Sequence, residues 1–61
     1  GKKTVMEYYV QRLNSDHWNN ICGPFGSEGE ALICAKACKG NSNYGSRIRI
    51  ATQDGRVVDI L

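Results

Sequence analysis

Along the chain the spacing of apolar positions changes twice. From Thr4 to Leu13 the residues are rich in Val and Tyr and alternate loosely with polar ones, the pattern of a half-buried strand. Asn14-Ser15-Asp16 is a polar turn cluster. Trp18 to Cys22 then reads as a second, shorter strand, which Gly23-Pro24 should end because proline has no N–H to give to a ladder. A four-residue loop between the two sets Leu13 opposite Trp18, Val10 opposite Ile21 and Tyr8 opposite Gly23. In that register Met6, Tyr8, Val10 and Ile21 share one face, and Tyr9, Trp18 and Cys22 share the other.

The spacing next becomes helical. Ala31, Cys34, Ala35 and Cys38 recur at i, i+3, i+4 and i+7 with Leu32 beside them, which is one face of a helix. Ser27 followed three residues later by Glu30 predicts a capping box at its start, with Phe25 closing over the first turn. Lys36 and Lys39 suit the negative end of the helix dipole, and Gly40 is a stop. Gly29 in the first turn weakens the helix by roughly 1 kcal/mol relative to alanine. The small residues on the inner stripe let this helix lie close against a sheet.

Asn41 to Ser46 reads as a loop, and alternation returns at Arg47-Ile48-Arg49-Ile50 and Val57-Val58-Asp59-Ile60. A two-residue Asp54-Gly55 turn would set Ile50 opposite Asp59 and send Val58 and Ile60 to solvent. A three-residue Gln53-Asp54-Gly55 loop with Gly55 left-handed instead sets Ile50 opposite Val58, Ile48 opposite Ile60 and Arg49 opposite Asp59, and it is preferred because apolar meets apolar and cation meets anion. The expected fold is α+β, in the order ββαββ. It forms a four-stranded antiparallel sheet of strand order 2-1-3-4, with one helix packed on one face and the other face open. Its core is expected to be Met6, Tyr8, Val10, Ile21, Phe25, Ala31, Leu32, Cys34, Ala35, Cys38, Ile48, Ile50, Val58 and Ile60.

With its capped helix start at Phe25-Gly26-Ser27-Glu28-Gly29-Glu30-Ala31 and its terminal Asp54-Gly55-Arg56-Val57 hairpin, the chain resembles the short single-domain ββαββ proteins of unknown function found in bacteria and their phages. The likeness runs from about Tyr8 to Ile60 and rests on structural punctuation. It implies the fold and brings no activity and no functional residues with it.

The 61 residues suffice for one small domain, and a chain this short buries only about 60% of the surface it exposes unfolded. Residues 1–3 are expected to be disordered, and Gly1 in place of methionine reads as a remnant of tag cleavage. A charged fraction of 23%, a hydrophobic fraction of 41% and a net charge of +2 describe an ordinary globule. That charge permits an acidic or nucleic-acid partner without demanding one. No apolar run is long enough for a membrane span, and because the opening Gly1-Lys2-Lys3 lacks an apolar core a signal peptide is not expected there. The odd count of three cysteines, Cys22, Cys34 and Cys38, fits reduced thiols in a cytoplasmic setting better than a disulfide scaffold.

Function is sought on the open face. Tyr9, Trp18, Arg47 and Arg49 are the expected contact residues, with Arg12, Arg56, Lys2 and Lys3 nearby. An apolar patch of Tyr9, Trp18, Val57 and Leu61 ringed by arginine suits a protein partner or a homodimer, which Ile33 or the edge strands would extend. The alternative is nucleic acid, single-stranded or duplex, with bases stacked on the rings and guanidinium groups on phosphates. A small-molecule substrate and a cofactor are not expected. Zinc on Cys34 and Cys38, with Cys22 and His17 completing a set, competes with plain packing of small thiols, and packing is preferred. His17 beside Cys22 lacks a third group to orient it as a base, and the carboxylates form no pair, so no catalytic residue is assigned and the chain reads as non-enzymatic.

Overall fold

The computed structural model describes residues 5–40 and 47–61, so the expectations for residues 1–3 and for the Asn41–Ser46 loop lie outside the described residues. Within them the elements are β1 (Tyr8–Asn14), β2 (His17–Phe25), α1 (Glu28–Lys39), β3 (Ile48–Thr52) and β4 (Val57–Ile60). The strands form one antiparallel sheet in the order β2-β1-β3-β4, and α1 packs on one face of it. This is the α+β, ββαββ arrangement the residue pattern implies. No helix of the described residues is long and apolar enough to cross a membrane.

The two central strands pair without interruption, from Tyr8 opposite Thr52 to Arg12 opposite Ile48. That register puts Val10 beside Ile50, and both are fully buried along with Ile48. Burial of side chains this size contributes about 1.5–3 kcal/mol each. Ala31 and Ala35 are likewise at zero exposure, so the small stripe of α1 brings its backbone close to the sheet, and Cys38 completes the buried set. Tyr8, Ile21, Phe25, Leu32, Cys34 and Val58 pack around this centre as expected.

Ser27 caps α1 with extended backbone angles, its Oγ accepting the Glu30 N–H at 3.3 Å. The Glu30 carboxylate returns to the Ser27 hydroxyl at 3.3 Å rather than to the Ser27 N–H, a variation on the expected capping box.

Both edge strands depart from the expected registers. On β2, Leu13 does face Trp18, but the turn is a tight pair, Ser15 and Asp16, between Asn14 and His17. Val10 faces Cys22 instead of Ile21, because Ile21 is the extra residue of a bulge between Asn20 and Cys22. Tyr8 faces Phe25 instead of Gly23, so the strand runs on through Pro24. Proline does not stop it because β2 is an edge strand, where one side of the backbone needs no partner. On β4, the three-residue loop forms as expected, with Gly55 at φ 92 and the Thr52 N–H donating to the Arg56 carbonyl at 2.8 Å. Ala51 then faces Val57, but a bulge at Val58 moves Ile50 opposite Asp59 and Arg49 opposite Ile60, and the Leu61 N–H donates to the Ile48 carbonyl at 2.9 Å. The shift draws Leu61 onto the core and leaves Ile60 64% exposed. Ile60 is therefore not a core residue and Leu61 is not part of the open patch. Met6 is half-buried and lies outside the buried cluster, which Cys22 joins.

Candidate functional site

The open face follows from the β1 register. Tyr9, Gln11 and Leu13 alternate away from α1, and their cross-strand neighbours share their side: Ala51, Arg49, Asn20 and Trp18. The Arg49 guanidinium lies over the Trp18 ring at 4.2 Å from its centroid, and its Nε donates to Gln11 Oε1 at 2.7 Å. Gln11 in turn donates through Nε2 to Asn20 Oδ1 at 2.8 Å. A polar chain thus crosses three strands and holds a cation over an indole, an arrangement worth about 0.5–1 kcal/mol at an exposed site. Ile60 lies across from Arg49 and Val57 across from Ala51, adding exposed apolar surface from β4.

Two of the four expected contact residues are thereby brought together, Trp18 and Arg49. Tyr9 is on the same face, four positions from Leu13 along β1 and so about 13 Å from the Trp18 row. Its hydroxyl donates to Glu7 Oε1 at 3.3 Å. Partial burial, and then the Glu7 charge and this hydrogen bond, raise its pKa above the ordinary phenol value. Arg47 is exposed at the mouth of β3, where its carbonyl accepts the Leu13 N–H at 3.1 Å. Arg12 pairs in register with Ile48 and belongs to the helix side, not to the open face. Gln11 escapes a reading of composition because a lone glutamine carries no signal until its strand neighbours are known.

A second constellation sits under the helix. Because the Ile21 bulge reverses the facing of the next residue, Cys22 turns toward α1, where Cys34 and Cys38 stand one turn apart. The three Sγ atoms all lie within 4.8 Å of one another, with Cys34 and Cys38 at 4.0 Å. All three are free thiols, Cys38 buried and the other two half-buried. Desolvation, then hydrogen bonding to Cys22 and Cys38, pushes the Cys34 thiol up to about 12, and burial raises Cys38 as well. The expectation that Cys22 faces away from the helix is thus corrected, and the signal that would have found the cluster is the bulge itself.

His17 does not join these thiols. It lies at the first position of β2, 80% exposed beside the Asp16 carboxylate at 3.2 Å. Five residues of extended chain separate it from Cys22, about 16 Å. Neither a Cys22–His17 nucleophile pair nor a three-cysteine, one-histidine metal set is assembled. Compared with known protein families, with curated proteins and with solved structures, the chain matches none.

Proposed function

We propose that this chain is a non-enzymatic binding module whose open sheet face engages protein, in the first place a second copy of itself. The observation that carries this reading is the Trp18–Arg49 stack, held in place by Gln11 beside the exposed Ile60. A preorganised indole and guanidinium next to uncovered aliphatic surface is the composition of an interface centre. The charges of the face also favour a two-fold pair. Arg47 and Arg49 lie toward one end of it and Glu7, tied to Tyr9, toward the other. An axis running across the strands therefore sets each cationic end against the other copy's Glu7.

Nucleic acid is the second reading, and the same stack weighs against it: the guanidinium is already committed to an indole and an amide, and the neighbouring Ile60 offers nothing to a phosphate. The size of the face sets the strength. Four strands about 4.8 Å apart and five residues of about 3.3 Å rise give roughly 320 Å² in projection. A standard interface buries about 800 Å² per partner, so the association is weak and readily reversible.

Sedimentation velocity across a wide concentration range, at low and moderate salt, tests this. A concentration-dependent dimer that persists at moderate salt and is lost in Trp18→Ala and Ile60→Ser supports the reading. A monomer at every concentration, together with single-stranded oligonucleotide binding that collapses between about 50 and 200 mM salt and disappears in the Arg47→Ala/Arg49→Ala double variant, overturns it in favour of nucleic acid.

A further inference from the structure

The thiol cluster lies on the helix side of the sheet and is independent of the open face. Three thiols packed as small hydrophobes need only van der Waals contact, and their sulfurs can point in any direction that fills space. Here they converge. A metal–sulfur bond of about 2.3 Å implies sulfur–sulfur separations of about 4.0 Å in a trigonal plane and about 3.8 Å in a tetrahedron. Cys34 and Cys38 already stand at 4.0 Å, and the spread of the whole set, within 4.8 Å, closes to such a triangle by less than about 1 Å of movement. We propose that Cys22, Cys34 and Cys38 form a three-thiolate site for a single thiophilic cation, and that the cation it suits is copper(I).

The choice of metal follows from the donor set. Soft thiolates select copper(I) and zinc among the biological metals. Zinc takes four ligands in structural sites, and among the described residues no histidine or carboxylate joins the three sulfurs. A d¹⁰ monovalent ion is coordinatively complete with three thiolates in a plane. Each thiol that ligates gives its proton to solvent, so three protons leave as one ion enters and no electron is transferred. The bound set carries two negative charges, and the half-buried positions of Cys22 and Cys34 let solvent reach one side of it. The two elements also divide the work in a way that packing does not require. The helix supplies an i, i+4 pair on one face, and the bulged edge strand supplies the third ligand from across the interface.

The test is an anaerobic titration of the reduced full chain with copper(I), in competition with a chromogenic copper(I) chelator. X-ray absorption on the loaded protein reads the ligand number. Native chain is expected to take one copper per chain with three sulfur neighbours at about 2.3 Å. Cys22→Ser is the decisive variant because its side chain is half-buried on an edge strand and it removes one sulfur while leaving the helix pair. It should weaken binding by more than about 100-fold, beyond the 10–100-fold that loss of an outer hydrogen bond costs a metal site. Trp18 emission, read from the opposite face, verifies that the variant is folded. If Cys22→Ser holds copper(I) as tightly as the native chain, the three-thiolate site is wrong. Copper taken up at one ion per two chains, each ion ligated by sulfurs of both, overturns it too. So does one zinc(II) per chain that copper(I) does not displace.

Discussion

Among the described glycines, Gly23 is the one whose replacement by alanine should be most damaging. Gly23 sits at φ 128, between the bulge that turns Cys22 inward and the Pro24 that β2 runs through. A side chain at such a φ costs on the order of 1–3 kcal/mol in backbone strain alone. Space is also missing. A Cβ there would lie 2.8 Å from Tyr9 Cδ1, 3.0 Å from the Tyr8 carbonyl oxygen and 3.3 Å from Tyr9 Cα. The tyrosine ring can swing aside, but the two main-chain atoms belong to β1, which is held on both sides. Moving them adds about 1–2 kcal/mol, the lower part of the range for overpacking. The total, about 2–5 kcal/mol, compares with a global stability of roughly 3–9 kcal/mol for a domain of this length at typical values per residue. In urea, with a slope near 1 kcal/mol per molar, the unfolding midpoint should fall by about 2 M or more, or the native baseline should vanish. A midpoint within about 0.5 M of the native chain would show that the β1–β2 contact is looser than this geometry states.

The same substitution at Gly29 should act in the opposite direction. A Cβ there meets nothing within 4 Å and the residue lies in the first turn of α1, so Gly29→Ala should stabilise by about 0.5–1 kcal/mol and raise the melting temperature by about 2–8 °C. Unchanged or lower melting would contradict it. Asp54 provides a pH test. Its carboxylate accepts the Thr52 hydroxyl and, at 3.3 Å, the Arg56 N–H, and these bonds hold its pKa below the ordinary 3.8. The stability it adds is therefore complete above that value and is lost as pH falls through and below it. The difference in urea midpoint between native chain and Asp54→Ala should shrink on acidification below pH 3.8, and a constant difference would remove Asp54 from the turn.

The helix was legible because its signals are redundant. Ser27, Glu30, the small stripe and Gly40 each place the same element, and an error in one is corrected by the others. The three-residue loop at Gln53-Asp54-Gly55 was legible because one residue in it must adopt a positive φ, and Gly55 does. The strand registers failed at three places, Ile21-Cys22 and Gly23-Pro24 on β2 and Val57-Val58 on β4, and two of these share a feature. Ile21-Cys22 and Val57-Val58 are apolar doublets, and period-two alternation is silent about which member of a doublet faces inward. A bulge inserted at either doublet leaves the hydrophobic pattern intact while it reverses the residues that follow, on β2 until the second shift at Gly23-Pro24 returns Phe25 to the helix side. Asp59 added to the error. Its charge complements Arg49 on paper, but Arg49 is satisfied by Gln11 and Trp18, and the Asp59 carboxylate turns to the Ile60 N–H at 2.9 Å.

Those bulges fall where the sheet tolerates them. β1 and β3 lie in the interior of the sheet and pair with each other in unbroken register, whereas β2 and β4, each with only one neighbour, carry all the irregularity. An edge strand bends at small cost because half of its backbone groups already face solvent, and the bend makes the edge a poorer template for another chain. In a domain this small each bend also changes what the core contains. The shift on β4 exchanges Ile60 for Leu61 over Ile48, sending an isoleucine out beside Arg49 on the open face. The shift on β2 brings Cys22 in against Cys34 and Cys38. Both surfaces proposed to act on other molecules therefore depend on a register shift at a sheet edge: the apolar rim of the open face on the bulge at Val58, and the third sulfur of the thiol cluster on the bulge at Ile21. Deleting Ile21 should remove the bulge without moving the sulfur: Cys22 would follow Asn20 directly and still face Val10 on the helix side, so the three thiols should stay together and the β1–β3 pairing should be untouched.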